Sequence, residues 1–165
     1  MSFDPDILHP AVRAGLDAHG IKCKTLVCDP ELADTATFCE HYGFSPEQAA
    51  NAIVVVGKTN PPKYVCCVVL ATCRLDVNKT VSALIGTKRC SFATPDQTVE
   101  QTGMEIGGVT PIGLPAMPIY VDSQVMSQEQ IVIGGGNRSS KLLLCPSELS
   151  KVECVEVVNK LGLPK

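Results

Sequence analysis

Two apolar runs in the first half of the chain constrain its fold more than any other feature. Residues 52–56 and 63–71 are rich in β-branched side chains, and the Gly- and Pro-containing segment between them is typical of a turn. Strands this apolar are buried on both faces, so helices must cover a central sheet. At 165 residues the chain is long enough for one domain with a full hydrophobic core. The sequence therefore predicts a single α/β domain over residues 1–165, with a mixed central sheet covered by helices.

Helix boundaries are marked by capping residues at the start and by glycines at the end. Four helices, each ended by a glycine, are predicted over residues 9–19, 34–42, 76–85 and 94–102. Ser45 and Gln48 form a capping-box pattern that predicts a further short helix, and Ser147 is expected to cap the last one. The remaining strands are predicted at residues 21–27, 90–93, 119–121, 131–133 and 141–144. Residues 152–161 fit either a strand or a helix.

The composition narrows the classes of function that the chain can serve. Its net charge of −3 lacks the basic footprint of a protein that binds duplex DNA, although a local patch can still contact a few phosphates. Residues 1–6 are acidic and have no apolar core, so no signal peptide is expected. No apolar run reaches the length needed to span a membrane. We therefore expect a cytoplasmic protein that binds neither DNA nor a membrane.

The nine cysteines favour buried, reduced thiols over disulfides or a metal site. Their number is odd, and no Cys-x-x-Cys motif occurs. Cys66 and Cys67 are adjacent in a predicted strand, so they point to opposite faces and cannot join one metal site. Neither a metal nor an organic cofactor is predicted.

The segment over residues 103–118 is the best candidate for a ligand-binding loop. It contains four glycines and three prolines, directly after a predicted helix end. Glycine permits positive φ and close backbone approach, whereas proline fixes φ and removes a donor. The apolar residues of the segment argue against disorder. We expect a stiff loop whose backbone N–H groups can face a ligand.

Other candidate sites are weaker. The three histidines lie on early helices among polar neighbours, and no Gly-x-Ser-x-Gly motif occurs, so a hydrolytic triad is not expected. Residues 134–141 fit a glycine-rich hairpin turn, or a turn in which Arg138 binds phosphate or carboxylate beside Asn137, Ser139 and Ser140. Asp122, at the end of a strand, suits either a helix cap or a group that orients a ligand.

Four motifs occur in a recognisable order along the chain. They are Arg74-Leu75-Asp76, Gly107-Gly108-Val109-Thr110-Pro111-Ile112-Gly113, Pro118-Ile119-Tyr120-Val121-Asp122 and Ile131-Val132-Ile133-Gly134-Gly135-Gly136-Asn137-Arg138. Together they resemble the YbaK family, the aminoacyl-tRNA editing domains related to the insertion domain of bacterial prolyl-tRNA synthetase. The resemblance covers about residues 20–150.

The resemblance implies hydrolysis of a mischarged aminoacyl-tRNA ester by a free-standing domain with a partly barrel-like sheet. Its partners would be the 3′ acceptor end of aminoacyl-tRNA and, alternatively, an aminoacyl-tRNA synthetase. The backbone of the catalytic loop would lie against the aminoacyl group and stabilise negative charge on the carbonyl oxygen, while a terminal ribose hydroxyl assists the attack. The implied loop residues are Gly107, Gly108, Val109, Thr110 and Pro111. The implied substrate contacts are Asn51, Gly113, Asp122, Gly136, Asn137, Arg138 and Ser139.

One position departs from the family pattern. The family places a phosphate-binding lysine at the start of the first central strand, and the matching residue in this sequence is Asn51. Asparagine brings no charge, so Lys58 or Arg138 would have to compensate. Otherwise the chain is a non-catalytic tRNA- or nucleotide-binding module, or a structural partner of a synthetase. If the loop is catalytic, β-branched residues at Gly107 or Gly108 should abolish turnover with little loss of fold.

Overall fold

The computed structural model describes residues 7–165, so residues 1–6 and the signal-peptide prediction made from them lie outside the described residues. The α-helices are α1 (Pro10–His19), α2 (Thr35–Tyr42), α3 (Ser82–Ile85), α4 (Pro95–Thr102) and α5 (Ser123–Met126). The strands are β1 (Lys24–Val27), β2 (Ala50–Gly57), β3 (Lys63–Leu70), β4 (Cys73–Leu75), β5 (Cys90–Phe92), β6 (Ile119–Asp122), β7 (Ile131–Gly134), β8 (Ser140–Leu144), β9 (Val155–Val158) and β10 (Gly162–Pro164). Short 3₁₀ helices cover Pro30–Leu32, Pro46–Gln48 and Pro146–Lys151, and a π-helical turn, Val77–Val81, precedes α3.

The strands form one large sheet and two smaller ones. The large sheet has the order β5-β2-β3-β6-β9; β5, β2 and β3 are antiparallel, whereas β3, β6 and β9 are parallel. A three-stranded antiparallel sheet has the order β1-β8-β7, and β4 pairs with β10. The predicted α/β domain with a mixed sheet is therefore confirmed.

The sheet is not closed, so the partly barrel-like part of the expectation is wrong. A barrel needs a continuous ladder of hydrogen bonds around its circumference. In the described chain, the large sheet and the β1-β8-β7 sheet meet only at an isolated parallel bridge between Ala49 and Val132. Ladder pairing between the two sheets therefore does not continue beyond this bridge.

The two apolar runs form the centre of the large sheet, as predicted. β2 and β3 pair over their whole length, from Ala50 opposite Leu70 to Gly57 opposite Lys63. Cys66 and Cys67 are both buried, and they pack into different hydrophobic clusters on the two faces of the sheet. This confirms that their side chains point in opposite directions.

Helix ends follow the glycine signals. The glycines that end the predicted helices all adopt positive φ, namely Gly20, Gly43, Gly86 and Gly103. The start of the first strand differs from the sequence prediction. The first strand begins at Lys24 rather than at Ile21, because the Ile21 N–H donates to Leu16 O and so completes the exit from α1.

The C-terminal elements also differ in detail from the prediction. Cys145 occupies the N-cap position of the last helical segment without a side-chain capping bond, and Ser147 lies inside the segment because Pro146 occupies its first position. The ambiguous segment over residues 152–161 contains β9, which adds a parallel strand beside β6. None of the helices within residues 7–165 combines the length and the apolar character needed to cross a membrane.

Candidate functional site

A cavity of about 330 Å³ opens where the two sheets diverge. Its floor is formed by β2 and β7, and the buried side of β8 contributes one side chain. The N-terminal turn of α2 forms one wall, and the loop over residues 103–118 forms the other. Ala49 and Val132, which make the bridge between the sheets, both line this cavity. The gap that prevents barrel closure is therefore also what creates the site.

The two glycine-rich segments of the sequence lie against each other at this cavity. The Glu105 N–H donates to Gly136 O at 3.0 Å, and the Gly136 N–H donates to Gly108 O at 2.7 Å. A Cβ added to Gly108 would lie 2.2 Å from the backbone oxygen of Asn137. Gly108 is therefore needed because two backbones touch there, and a side chain at this position would disrupt the fold. The expectation that Gly108 tolerates substitution without loss of fold is not supported by this contact.

Only part of the predicted loop faces the cavity. Gly107 and Val109 line it, and no described residue accepts a hydrogen bond from either N–H group. The Gly108 N–H donates to Glu105 O at 2.9 Å, so it is already used inside the loop. Thr110 and Pro111 are buried and do not line the cavity, and proline has no N–H. Of the four predicted N–H donors, only those of Gly107 and Val109 belong to residues that line the cavity and lack a described acceptor.

The turn between β7 and β8 has the geometry of a hairpin, with Gly134 opposite Lys141. The Asn137 side chain of this turn makes its hydrogen bonds within the protein. Its Oδ1 accepts from the Ser139 N–H at 3.1 Å and from the Ser140 hydroxyl at 2.7 Å. Asn137 Nδ2 donates to Ile7 O at 2.8 Å. These bonds hold the turn rigid, and Asn137 and Ser139 do not line the cavity.

Two further glycines predicted to contact substrate instead pack against α1. A Cβ on Gly113 would lie 2.3 Å from Ala11 O, and one on Gly136 would lie 2.5 Å from the Cβ of His9. Both glycines have positive φ. They allow α1 to approach the loop and the hairpin turn, and neither lines the cavity.

Arg138 links the loop to the segment before α2 through hydrogen bonds and an ion pair. Its Nε donates to Pro30 O at 3.1 Å, and one terminal nitrogen donates to Ile106 O at 3.1 Å and pairs with Asp34 at 3.3 Å. Its backbone N–H donates to the Glu105 carboxylate at 2.8 Å. The guanidinium therefore fixes the position of Gly107 relative to Asp34, and it does not itself line the cavity.

Asn51 lies on the cavity wall, in β2 opposite Val69. Its Oδ1 accepts a 2.5 Å hydrogen bond from the hydroxyl of Thr35, the first residue of α2. The amide Nδ2 makes no hydrogen bond to a described residue, so it is a donor available to a ligand.

Lys58 and Asp122 lie away from the cavity. Lys58 is exposed beyond the last residue of β2, seven residues from Asn51, which corresponds to about 23 Å along an extended strand. Asp122 is 0% exposed, and one of its carboxylate oxygens would lie 2.8 Å from a Cβ on Gly162. Burial raises the pKa of the Asp122 carboxyl, and the facing N–H groups of Gly162 and Gln124 act in the opposite direction. Neither carboxylate oxygen has a hydrogen bond of good geometry within the described chain.

Lys141 is a cavity residue that the sequence reasoning missed. It is only 5% exposed, and its Nζ donates to Ala33 O at 2.7 Å and to Gly107 O at 3.1 Å. The ammonium lies 5.5 Å from the centre of the Phe38 ring. Burial lowers the pKa of Lys141, and the neighbouring Arg138 acts in the same direction. The available signal was a lysine at the start of the otherwise apolar strand that follows the glycine-rich turn.

Metal and thiol chemistry have little support at this site. Within residues 7–165, no group of three or more His, Cys, Asp or Glu side chains is arranged to hold a metal ion. All nine cysteines are unpaired thiols, and five of them are buried. Burial raises the pKa of the Cys66 thiol to about 12, so it stays protonated at neutral pH. None of the three histidines, all within the described chain, lines the cavity.

The fold, the glycine-rich loop and the cavity beside it together define the class of protein. Residues 29–152 match the model of the aminoacyl-tRNA editing domain, and the chain belongs to this family. The resemblance to the YbaK family drawn from the sequence motifs is thereby confirmed. The family consists of aminoacyl-tRNA deacylases, so the match supports hydrolysis in general terms.

The chain is also similar to particular solved structures and to one curated protein. A solved structure described as a proposed trans-editing enzyme for prolyl tRNA synthetase has a TM-score of 0.78 and 25% sequence identity; the match covers 92% of this chain and 97% of that one. The hypothetical protein APE2540 shares the fold, with a TM-score of 0.82, 24% identity and coverage of 93% and 99%. The uncharacterized protein YwhH of Bacillus subtilis (strain 168) is 38% identical over 64 residues, a segment that spans 38% of this chain and only 41% of that relative.

Proposed function

We propose that the protein is a free-standing hydrolase that deacylates mischarged aminoacyl-tRNA in trans, without a metal or organic cofactor. The observation that carries this proposal is the common cavity of Gly107, Val109 and Asn51. In this cavity, the loop that resembles the family's catalytic loop faces Asn51, the residue that replaces the family lysine. The cavity volume is at the low end of the range for small-molecule sites, which suits an aminoacyl ester and its ribose.

The mouth of the cavity suits a nucleobase. Phe92 is 57% exposed and Ile106 is 44% exposed, and both line the cavity. Exposed large apolar side chains at the entrance of a cavity are typical of binding surfaces. An aromatic ring in this position can stack on a base regardless of its identity. The terminal adenosine of the tRNA would rest here, with its ribose directed toward Asn51.

The chemistry requires binding and orientation rather than a protein nucleophile. The Nδ2 group of Asn51 would donate to a ribose hydroxyl, while the Thr35 hydroxyl fixes the amide in that orientation. The N–H groups of Gly107 and Val109 would donate to the ester carbonyl oxygen, where negative charge develops as water attacks. A water held against the vicinal ribose hydroxyl would then be positioned for attack.

The proposed cellular compartment and partners follow from the substrate. Charged tRNA is present in the cytoplasm, and the enzyme would act on its 3′ acceptor end. The relative described as a proposed trans-editing enzyme for prolyl tRNA synthetase supports a domain that works alongside a synthetase.

Deacylation assays on a panel of mischarged tRNAs test the proposal. We expect at least one mischarged tRNA to be deacylated faster than its spontaneous rate. A folded Asn51→Leu variant should deacylate the same tRNA more slowly than the native protein. If no tRNA on the panel is deacylated, and Asn51→Lys does not create activity, the hydrolase proposal fails. Tight tRNA binding without turnover would instead identify a non-catalytic binding module, the alternative raised by the missing family lysine.

A further inference from the structure

The buried ammonium of Lys141 has a hydrogen-bonding capacity that the protein does not exhaust. A lysine ammonium carries three N–H donors. Two of them are taken by the carbonyl oxygens of Ala33 and Gly107, and no described residue accepts from the third. Lys141 also lines the same cavity as Asn51, although it comes from a different strand and a different sheet. A charged donor therefore borders the cavity whose expected lysine is missing.

We propose that Lys141 supplies the positive charge of this site, and that its third N–H donates to the carbonyl oxygen of the scissile ester. This inference rests on the proposed deacylase function. Lys141 would share the developing oxyanion with the N–H groups of Gly107 and Val109, and the 3.1 Å bond to Gly107 O ties the ammonium to the loop that carries those groups.

The depth of the ammonium favours an ester oxygen over a phosphate as its partner. Lys141 is only 5% exposed, whereas a tRNA phosphate is heavily hydrated and would remain at the exposed rim. The surrounding residues, which include Ala33, Phe38 and Val132, are apolar. In such an environment a charged donor stabilises a developing oxyanion far more than it would in water.

Burial lowers the pKa of Lys141, but several groups around the ammonium attract its charged form. Two carbonyl dipoles and the face of the Phe38 ring all attract a cation. The Asp34 carboxylate, which lies close enough to raise the pKa of Lys141, adds to this attraction and partly offsets burial and Arg138. A buried charge held only to brace a loop would be costly compared with a neutral side chain.

The hydrolytic step is balanced without any proton transfer by Lys141. A water oxygen forms a bond to the ester carbon, and the carbonyl electron pair moves onto the oxygen that faces the ammonium. When this pair returns, the bond to the ribose oxygen breaks, and the proton lost by the water ends on the released ribose hydroxyl. Lys141 keeps its three protons throughout and acts only as a hydrogen-bond donor.

The test compares Lys141→Met with the native protein on a mischarged tRNA that the native protein deacylates. We expect kcat to fall by about 10²–10³-fold, the usual cost of losing an oxyanion donor, while KM changes by less than about threefold. If the native protein deacylates its tRNA and Lys141→Met does so within about fivefold, this inference fails while the proposed function stands. If the native protein deacylates nothing and Asn51→Lys does not create activity, the proposed function fails, and this inference fails with it.

A binding measurement tests whether Lys141 donates a hydrogen bond to the substrate or only holds the loop in position. The probes are two 3′-aminoacyl-adenosine analogues, one with a tetrahedral phosphonate in place of the ester and one with a planar amide. The native protein should prefer the phosphonate, and Lys141→Met should lose this preference. A variant that is slow yet keeps the preference would overturn the inference, because Lys141 would then act only through the loop. If Lys141→Met fails to fold, Lys141→Gln is judged by the same preference.

Moving the charge provides a second check. Asn51→Lys in the Lys141→Met background returns a cation to the same cavity from β2. Recovery of phosphonate preference would support a requirement for charge rather than for one particular side chain. Lack of recovery in a folded double variant would contradict the idea that Lys141 replaces the charge missing at residue 51.

Discussion

The Nζ of Lys141 donates a 3.1 Å hydrogen bond to the carbonyl oxygen of Gly107. This bond joins the second residue of β8 to Gly107, the loop glycine that lines the cavity and has positive φ. It explains how a chain without the expected lysine at residue 51 keeps a cation at the site. The same bond means that changes in the loop and changes in the charge are coupled.

Gly108→Ala should be strongly destabilising, whereas Gly103→Ala should not. The added Cβ at residue 108 would lie 2.2 Å from Asn137 O, while at Gly103 nothing lies within 4 Å. We expect Gly103→Ala to cost about 1–2 kcal/mol through its positive φ alone. Gly108→Ala should cost about 3 kcal/mol or more, because a backbone must also move. Urea denaturation of both variants measures the difference, and equal stabilities would refute the close crossing of the two segments.

Arg138→Met should reduce activity more than stability. Its guanidinium holds Ile106 O and Asp34 together at the cavity wall, but the ion pair is partly exposed, so its loss should cost less than about 1 kcal/mol. A loosened loop misplaces the Gly107 N–H, and we expect kcat/KM to fall by about tenfold or more. Lys151→Met is the matched control, because it breaks another surface ion pair, with Glu148, outside the cavity. Equal activities for the two variants would exclude a positioning role for Arg138.

Phe92→Ala should weaken binding of the tRNA end without changing the chemical step. Loss of a base-stacking ring costs about 1–3 kcal/mol, which corresponds to an increase in KM of about 5–150-fold at constant kcat. Val99→Ala removes another exposed apolar side chain that does not line the cavity, so its KM should be unchanged. Steady-state kinetics on both variants make the comparison, and Phe92→Tyr should behave like the native protein. A Phe92→Ala variant with native KM would place the base elsewhere.

Asp122→Asn should stabilise the protein at neutral pH. Burial raises the folded-state pKa of Asp122 above its ordinary value of 3.8, so the folded protein binds this proton more tightly than the unfolded chain. The native protein therefore loses stability as pH rises from 3.8 through the folded-state pKa, and the variant lacks this loss. The stability difference should be largest at pH 7 and vanish below pH 3.8, as measured by thermal unfolding across this range.

The same variant tests whether Asp122 contacts substrate. Because the carboxylate is buried beside Gly162 rather than in the cavity, deacylation by Asp122→Asn should remain within about twofold of native. A large loss of activity in a stable variant would restore the sequence-based prediction that Asp122 orients the ligand. Reduced stability at pH 7 would instead mean that facing N–H groups favour the ionised carboxylate.

Lys58→Ala should leave both activity and its salt dependence unchanged. Lys58 lies about 23 Å from Asn51 along β2, well beyond the screening length at physiological salt. A weaker salt dependence in this variant, measured from kcat/KM at several ionic strengths, would show that tRNA contacts Lys58 outside the cavity.

Much of the fold could be predicted because its signals are local. The β-branched runs predict β2 and β3, and glycines with positive φ end the predicted helices. The loop over residues 103–118 was also recognisable, because no regular element accommodates that density of glycine and proline. Sheet closure was not predictable in this way, since it depends on whether the residues flanking the Ala49–Val132 bridge continue to pair.

The candidate site was predicted only in part. Asn51, Gly107 and Val109 were named from the sequence, and the structure brings them to one cavity. Gly108 was named as a catalytic loop residue, and Gly113 and Gly136 were named for substrate contact, but each lies where another backbone or side chain approaches closely. A glycine required by a ligand and a glycine required by packing look the same in a sequence, because both simply lack a Cβ.

The sequence by itself therefore determined most of the longer elements, the α/β class and the family, since these follow from periodicity, caps and motif order. Only the tertiary structure decided which residues meet the substrate cavity. Lys141 reaches Ala33 across 108 residues of sequence, and its burial depends on α2 and the loop both folding over β8. A lysine in an otherwise apolar strand marks residue 141 as unusual, but its partners are set by packing over such separations, so the local pattern could not name them.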